Sequence, residues 1–272
     1  MMNKVISVGY IIGNGDIALE TITKNDAIVI LKESNTDISR FSEYNAVTIS
    51  MTKVGKILKF FRKNNIKSIC FIGGITRPAL SLVKLRPDFT GLFLLLTLLK
   101  LKKHGDDSVL QEIISFMEKR NFHVIGIHEI NKTLLADMNL QTTILPSKQN
   151  LLDIDLGARV LNHISQFDIG QSIVIQDGIV IGIEGVEGTD ELVIRCGKIA
   201  KTSTNRPVLI KLMKIGQNMK ADMPTIGTKT IEYLSEFNFS GIAIQNNKCL
   251  VQNKSMVKSY AESKNVFITI VE

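Results

Sequence analysis

The stretch Lys220-Ala-Asp-Met-Pro-Thr-Ile-Gly227 packs an aspartate, a proline and a glycine into one turn ahead of an amphipathic run. Proline fixes φ at position 224, Gly227 admits conformations closed to other residues, and Thr228 is expected to cap a helix through Ile231, Leu234 and Phe237. A turn of this kind holds the Asp222 carboxylate beside free backbone N–H groups, where it can ligate a divalent cation near a phosphate or activate a water. Upstream, Lys211-Leu-Met-Lys-Ile-Gly-Gln217 offers Lys211, Lys214 and Gln217 to phosphate oxygens, and Thr225 offers a hydroxyl from the turn itself. Taken alone, the segment also reads as a well-capped helix behind an ordinary loop.

Three further glycine-rich loops carry polar groups: Gly13-Asn-Gly-Asp16, Phe71-Ile-Gly-Gly-Ile-Thr-Arg-Pro78 and Gly105-Asp-Asp-Ser108. Gly13, Asn14, Gly15 and Gly74 are candidate contacts to a nucleotide, because glycine lets backbone N–H groups approach a pyrophosphate closely. Arg77, stiffened by Pro78, suits a phosphate, and Asp106 is a polar group of the third loop. Gly13-Asn-Gly-Asp-Ile-Ala18 also satisfies the G-x-G-x-x-A dinucleotide fingerprint, with Glu33 about 20 residues on. That pattern keeps a second reading open, an NAD-dependent oxidoreductase. No second-half histidine or lysine is placed for hydride chemistry, however. A non-catalytic nucleotide-sensing module is the third reading.

These loops, with Asp168-Ile-Gly-Gln-Ser-Ile-Val-Ile-Gln-Asp-Gly178, Glu184-Gly-Val-Glu-Gly-Thr-Asp190 and Ala221-Asp-Met-Pro-Thr-Ile-Gly227, follow one order from Gly13 to Gly227. Together they resemble the LpxI family, the UDP-2,3-diacylglucosamine pyrophosphatases of lipid A biosynthesis. The resemblance implies a metal-dependent hydrolase on the cytoplasmic side, cleaving a UDP-linked lipid sugar into UMP and a diacylglucosamine 1-phosphate. Asp222 is then the expected catalytic residue and metal ligand, with Mg2+ or Mn2+ as cofactor. Lys211, Lys214 and Gln217 are candidates for the phosphates, and Asn14, Asp106 and Thr189 for sugar and nucleotide. The resemblance, with the apolar strand and hairpin edges of the second half, also supports a homodimer.

The 272 residues, 44% hydrophobic, suit two α/β domains. A formal charge of +7 fits a phosphorylated substrate, an anionic lipid surface or nucleic acid. Nucleic acid is not expected, because no helix-turn-helix or RNP motif accompanies the scattered lysines. The one dense basic cluster, Lys100, Lys102, Lys103 and His104, follows the Leu-rich run Gly91–Leu99. That run falls short of the roughly 20 residues needed to span a bilayer, so a cytoplasmic chain with peripheral membrane contact is expected. The charged start Met-Met-Asn-Lys is not read as a signal peptide. Cys70, Cys196 and Cys249 lack metal or disulfide spacing, and His104, His123, His128 and His163 show no paired metal motif.

Strand signals at Val5–Val8, Ala27–Leu31, Ala46–Ile49, Ile69–Ile72 and His123–Ile127 alternate with helical spacing over 52–64 and 108–121. Alternation of this kind predicts a Rossmann-like, mostly parallel sheet over residues 1–131, with its ligand loops at the strands' carboxyl ends. Residues 132–272 are expected to form an α/β catalytic domain. A helix over 151–167 precedes a hairpin over 172–183, turned at Asp177-Gly178, and a helix capped by Thr189 or Asp190 follows.

Overall fold

The computed structural model describes residues 7–74, 86–101, 106–200, 205–220 and 222–272. The chain divides into two compact units. One is Met1–Lys132 together with Asn218–Asp222, and the other is Thr133–Gln217 together with Met223–Glu272.

The first unit is built on a parallel sheet of order β3-β2-β1-β4-β5, formed by β1 (Val8–Ile12), β2 (Ala27–Leu31), β3 (Asn45–Ile49), β4 (Ser68–Ile72) and β5 (His123–Val124). β1 and β2 are buried along their whole length, as continuous apolar runs in a parallel sheet require. The first strand therefore begins where the sequence reading ended it, at Val8, while Val5 and Ile6 lie outside the described residues. Packing explains why the strand runs on past Val8. Gly9 would weaken an isolated strand, but a Cβ there would lie 2.8 Å from both Ile66 and Phe61, so the glycine is what admits the neighbouring side chains.

Helix α1 (Val54–Lys63) buries Ile57, Leu58 and Phe61 against the sheet with Leu94 of α2 (Phe89–Leu98) and Phe116 of α3 (Asp106–Glu118). β5 is shorter than expected: the chain turns at Gly126, whose N–H the Glu129 side chain accepts at 2.8 Å, into the short helix α4 (Ile127–Ile130). This agrees with the predicted Rossmann-like parallel sheet.

The second unit holds a mixed sheet of order β12-β10-β8-β6-β7, made of β6 (Ser172–Gln176), β7 (Ile179–Ile183), β8 (Val208–Lys211), β10 (Gly241–Gln245) and β12 (Phe267–Val271). β8, β10 and β12 run parallel, and β6 and β7 form an antiparallel hairpin on their edge. Strand alternation sorts the core into two layers. Ile173 and Ile175 pack with α5 (Lys148–Ile164) on one face. Val174 packs with α6 (Thr189–Ile199), α7 (Thr228–Glu236) and α8 (Lys254–Ser263) on the other.

Asp177 and Gly178 turn the hairpin with φ of 53° and 75°, the two positive values that a type I′ turn needs. The buried Asp153 carboxylate accepts both of their N–H groups, at 3.1 and 2.7 Å. α5 starts earlier than the predicted 151 because Ser147 and Asn150 cap it reciprocally, each side chain accepting the other's N–H at 3.1 Å. Two expected caps are absent. Gly227, not Thr228, precedes α7, and Gly188, at φ 82°, precedes α6, so that Thr189 is already helical.

Candidate functional site

In the first unit, chain direction sets the chemistry. The order β3-β2-β1-β4-β5 reverses between β1 and β4, and ligands of open parallel sheets bind at the carboxyl ends of the strands at such a reversal. The loops after these two strands carry the predicted glycines and are joined there. Gly13 donates its N–H to Ile72 O at 2.8 Å, and Asn14 to Gly74 O at 2.7 Å. The loop after β2 closes on them: Asn35 N–H donates to Asn14 Oδ1 at 2.8 Å, and Thr36 Oγ1 to Gly13 O at 2.6 Å.

The approach is close enough to require glycine, since a Cβ on Gly13 would stand 2.4 Å from Gly74 O and one on Gly73 only 2.1 Å from Asn14 O. Nothing lies within 4 Å of the Cβ positions of Gly15 and Gly74. Both glycines are exposed, and neither carries a side chain that would hold a ligand off the backbone. Gly13, Asn14, Gly15 and Gly74 are thus brought together. Arg77 lies outside the described residues, and Asp106 opens α3. Glu33, the residue that the NAD reading assigns to a ribose, accepts from Ser50 Oγ at 2.5 Å and from Met51 N–H at 2.9 Å. Both of its oxygens therefore hold the loop between β3 and α1.

The segment bearing Asp222 belongs to the first unit although it follows Gln217 of the second. Asn218 organises it: its side chain accepts Lys220 N–H at 3.0 Å, and its carbonyl accepts Asp222 N–H at 3.2 Å. Lys220 Nζ lies 3.9 Å from Glu118 of α3. The Asp222 side chain is half-buried. Directly after it, Met223 and Pro224 are buried, and Thr225–Ile226 form β9, parallel to β11 (Leu250–Val251). A short strand therefore stands where a turn was expected, and the Thr225 hydroxyl donates to Met223 O at 3.1 Å.

In the second unit, the antiparallel pairing of β6 with β8 sets Ser172 opposite Lys211, and the hairpin returns Glu184 to the same edge. Lys211 is buried at 5% exposure, and its Nζ donates to Thr189 Oγ1 at 2.7 Å. Thr189 Oγ1 donates to Glu184 Oε1 at 3.1 Å. The hydroxyl that was expected to cap α6 is thereby drawn into a buried relay. The first turn of α6 already carries Asp190 and Glu191, with Asp190 3.0 Å from Lys229, so its positive end is supplied with negative charge.

Beyond β8, Lys214 Nζ pairs with Asp168, Lys214 N–H donates to Gln217 Oε1 at 3.0 Å, and Met213 N–H to Gln245 Oε1 at 3.3 Å. Lys211, Lys214, Gln217 and Thr189 thus share one end of this unit. Glu184 and Asp168, which received no role from the sequence, partner them. The available signal was a carboxylate directly after the apolar strand Ile179–Ile183, a position that burial makes costly unless the group is used.

Burial raises the Cys249 thiol to about 12 against the opposing pull of the nearby Lys211 ammonium, and burial likewise pushes Cys70 and Cys196 up. The three cysteines stay protonated and are not nucleophiles. Among the described residues no three His, Cys, Asp or Glu side chains are grouped to form a protein-only metal cage. A hard divalent ion needs no such cage: one or two carboxylates complete its shell with phosphate oxygens and water. Asp222 fits that donor set.

Comparison with known proteins matches this architecture. The sequence pattern of the LpxI N-terminal domain covers residues 7–134, and that of the LpxI C-terminal domain covers residues 114–269. The chain is 29% identical over 275 aligned residues to the UDP-2,3-diacylglucosamine pyrophosphatase LpxI of Caulobacter vibrioides, an alignment that covers 97% of each sequence. With both domain patterns matched in order along nearly its whole length, this chain belongs to the LpxI family.

Proposed function

We propose that the protein hydrolyses the pyrophosphate of UDP-2,3-diacylglucosamine to UMP and 2,3-diacylglucosamine 1-phosphate, in the manner of its Caulobacter relative, as a step of lipid A biosynthesis. The observation that carries this reading is the end-to-end match to both LpxI domains. In the reaction a water oxygen bonds to one phosphorus while the bridging P–O bond breaks, and the water's proton is released. The obstacle is negative charge on the group attacked and on the group leaving.

A bound Mg2+ or Mn2+ would neutralise that charge and polarise the phosphoryl oxygens. Asp222 would hold the ion or orient the water. Lys211 supplies a dehydrated ammonium for a phosphate, stronger than a solvated one because the local dielectric is low. Lys214 would share itself between Asp168 and a phosphate, and Gln217 keeps that loop in place. In the first unit, the exposed glycines Gly15 and Gly74 suit close approach by a nucleotide.

The test is incubation with UDP-2,3-diacylglucosamine in oxygen-18 water. UMP should be released with magnesium, stop on thorough chelation with EDTA and return with magnesium or manganese. Label in UMP or in the lipid phosphate identifies the phosphorus attacked. Release that persists under complete chelation would remove the metal from the mechanism, and no UMP at all would remove the activity.

We further propose peripheral contact with a membrane surface. No helix among the described residues is long and apolar enough to cross a membrane. α2, however, buries Gly91 and Leu94 and exposes Phe89, Leu92, Phe93 and Leu96, with Leu99 exposed directly after its last residue. This outer stripe ends at the exposed Lys100, a pairing of apolar face and cation that suits an anionic bilayer. A homodimer is proposed on the exposed Ile179 and Val180 of the edge strand β7. Light scattering should give twice the 30.2 kDa chain mass. The same sample should co-sediment with phosphatidylglycerol vesicles and lose that binding in Leu92→Glu/Leu96→Glu. A monomer mass, or unchanged sedimentation of the double variant, would reject the respective proposal.

A further inference from the structure

The relay at the carboxyl end of β8 is incomplete in a way that specifies a ligand. Lys211 and Glu184 are 5% and 8% exposed. A threonine hydroxyl has one proton, and since it is given to Glu184 Oε1, Thr189 can only accept from Lys211. Thr189 is the one hydrogen-bond partner of Lys211 Nζ among the described residues, which leaves donors of the ammonium unused.

At the other end, Glu184 Oε2 is buried with no hydrogen-bond partner among the described residues. A buried acceptor left unmade costs on the order of 1–3 kcal/mol, more when charged. A buried acceptor of this kind calls for a partner, and a bound ligand is one that can supply it. The acceptor asks for an O–H or N–H donor, and the ammonium asks for an anion.

We infer that Glu184 is a substrate-recognition residue of a phosphorylated-sugar subsite in the second unit. Lys211 holds the phosphate, and Glu184 Oε2 accepts a hydroxyl or N–H of the adjoining sugar. Glu184 Oε1 acts through Thr189 to aim the ammonium. The choice of ligand rests on the pyrophosphatase reading, whose substrate contains two phosphorylated sugars, a ribose phosphate and a glucosamine 1-phosphate. Either carries the shared chemistry.

NMR titration of the labelled full chain compares inorganic phosphate, ribose 5-phosphate and glucosamine 1-phosphate. The wild type should hold one sugar phosphate at least tenfold more tightly than inorganic phosphate, and the one preferred identifies the half of the substrate bound. Glu184→Gln should reduce this preference to near unity without weakening inorganic phosphate, since the amide can still accept from Thr189 and no longer repels the anion, but presents a donor to the sugar. A wild type without preference, or a Glu184→Gln variant that keeps it, overturns the inference.

Should that variant fail to fold, Thr189→Val is expected to weaken both phosphate and sugar phosphate at least fivefold, with Thr189→Ser restoring them. Equal binding by the two threonine variants overturns it equally. UMP release by the wild type is scored separately. A protein that hydrolyses the nucleotide lipid yet shows no sugar preference sinks this inference and leaves the activity standing, and the reverse result does the opposite.

Discussion

Replacing Asp222 by alanine is expected to lower kcat for UMP release by several orders of magnitude while substrate binding is largely kept. The carboxylate is the one side chain of segment 220–227 that brings negative charge to a divalent ion or can take a proton from a water. The contacts proposed for phosphate and sugar belong to other residues, so transition-state stabilisation is lost without equal loss of ground-state binding. The fold should survive, because the turn is held by backbone and by other side chains: Asn218 accepts Asp222 N–H, and Pro224 O accepts Leu250 N–H at 2.7 Å. The measurement is kcat on the folded fraction, with melting temperature recorded alongside. A folded variant that keeps more than about a tenth of kcat has lost less than roughly 1.4 kcal/mol, and Asp222 would then have no catalytic role.

Gly73→Ala should be a severely damaging single-methyl change in the first unit. Gly73 has φ of 81°, a region that costs a side-chained residue about 1–2 kcal/mol, and the new Cβ would meet Asn14 O at 2.1 Å. One loop must yield, and the link from Asn14 N–H to Gly74 O is the contact at stake. We expect a melting temperature lower by several degrees and at least a tenfold weaker affinity for UMP at temperatures where the variant is folded. Gly74→Ala is the control. Its Cβ has nothing within 4 Å, and its φ is not positive, so it should melt with the wild type. Equal melting of the two variants would show that the joined loops do not depend on Gly73.

Much of the first unit was legible because its signals are local. Apolar runs such as Ala27–Leu31 need both faces covered, and only parallel strands with crossover helices supply that cover. The glycines at 13, 15 and 74 fell at the strand ends because tight turns and close backbone approach occur there. The continuation of the first strand from Val8 to Ile12 was not legible, for the opposite reason. Val5 and Val8 score as strand formers, whereas Gly9 scores against one, and only the pressing of Ile66 and Phe61 into its missing side chain reverses that preference.

The Asp177-Gly178 hairpin was legible from the dipeptide alone. The buried Asp153 that grips its two N–H groups lies 24 residues away from Asp177 in sequence and left no trace there.

The candidate site divides along the same line. Residue types and loop order determined that this chain offers a carboxylate beside a proline, two lysines within four residues and glycine loops able to meet a pyrophosphate, because those capacities belong to side-chain chemistry and local backbone freedom. Which groups are partnered was decided by tertiary structure. Thr189 was expected to cap a helix, yet its hydroxyl serves Lys211 and Glu184. Glu33 suited a ribose, yet both of its oxygens are held by the loop after β3. The physical reason is that a polar group's role depends on the donors and acceptors within about 3 Å of it once water is excluded. Strand pairing and direction, which bring Ser172 opposite Lys211 and return Glu184 beside them, set that neighbourhood.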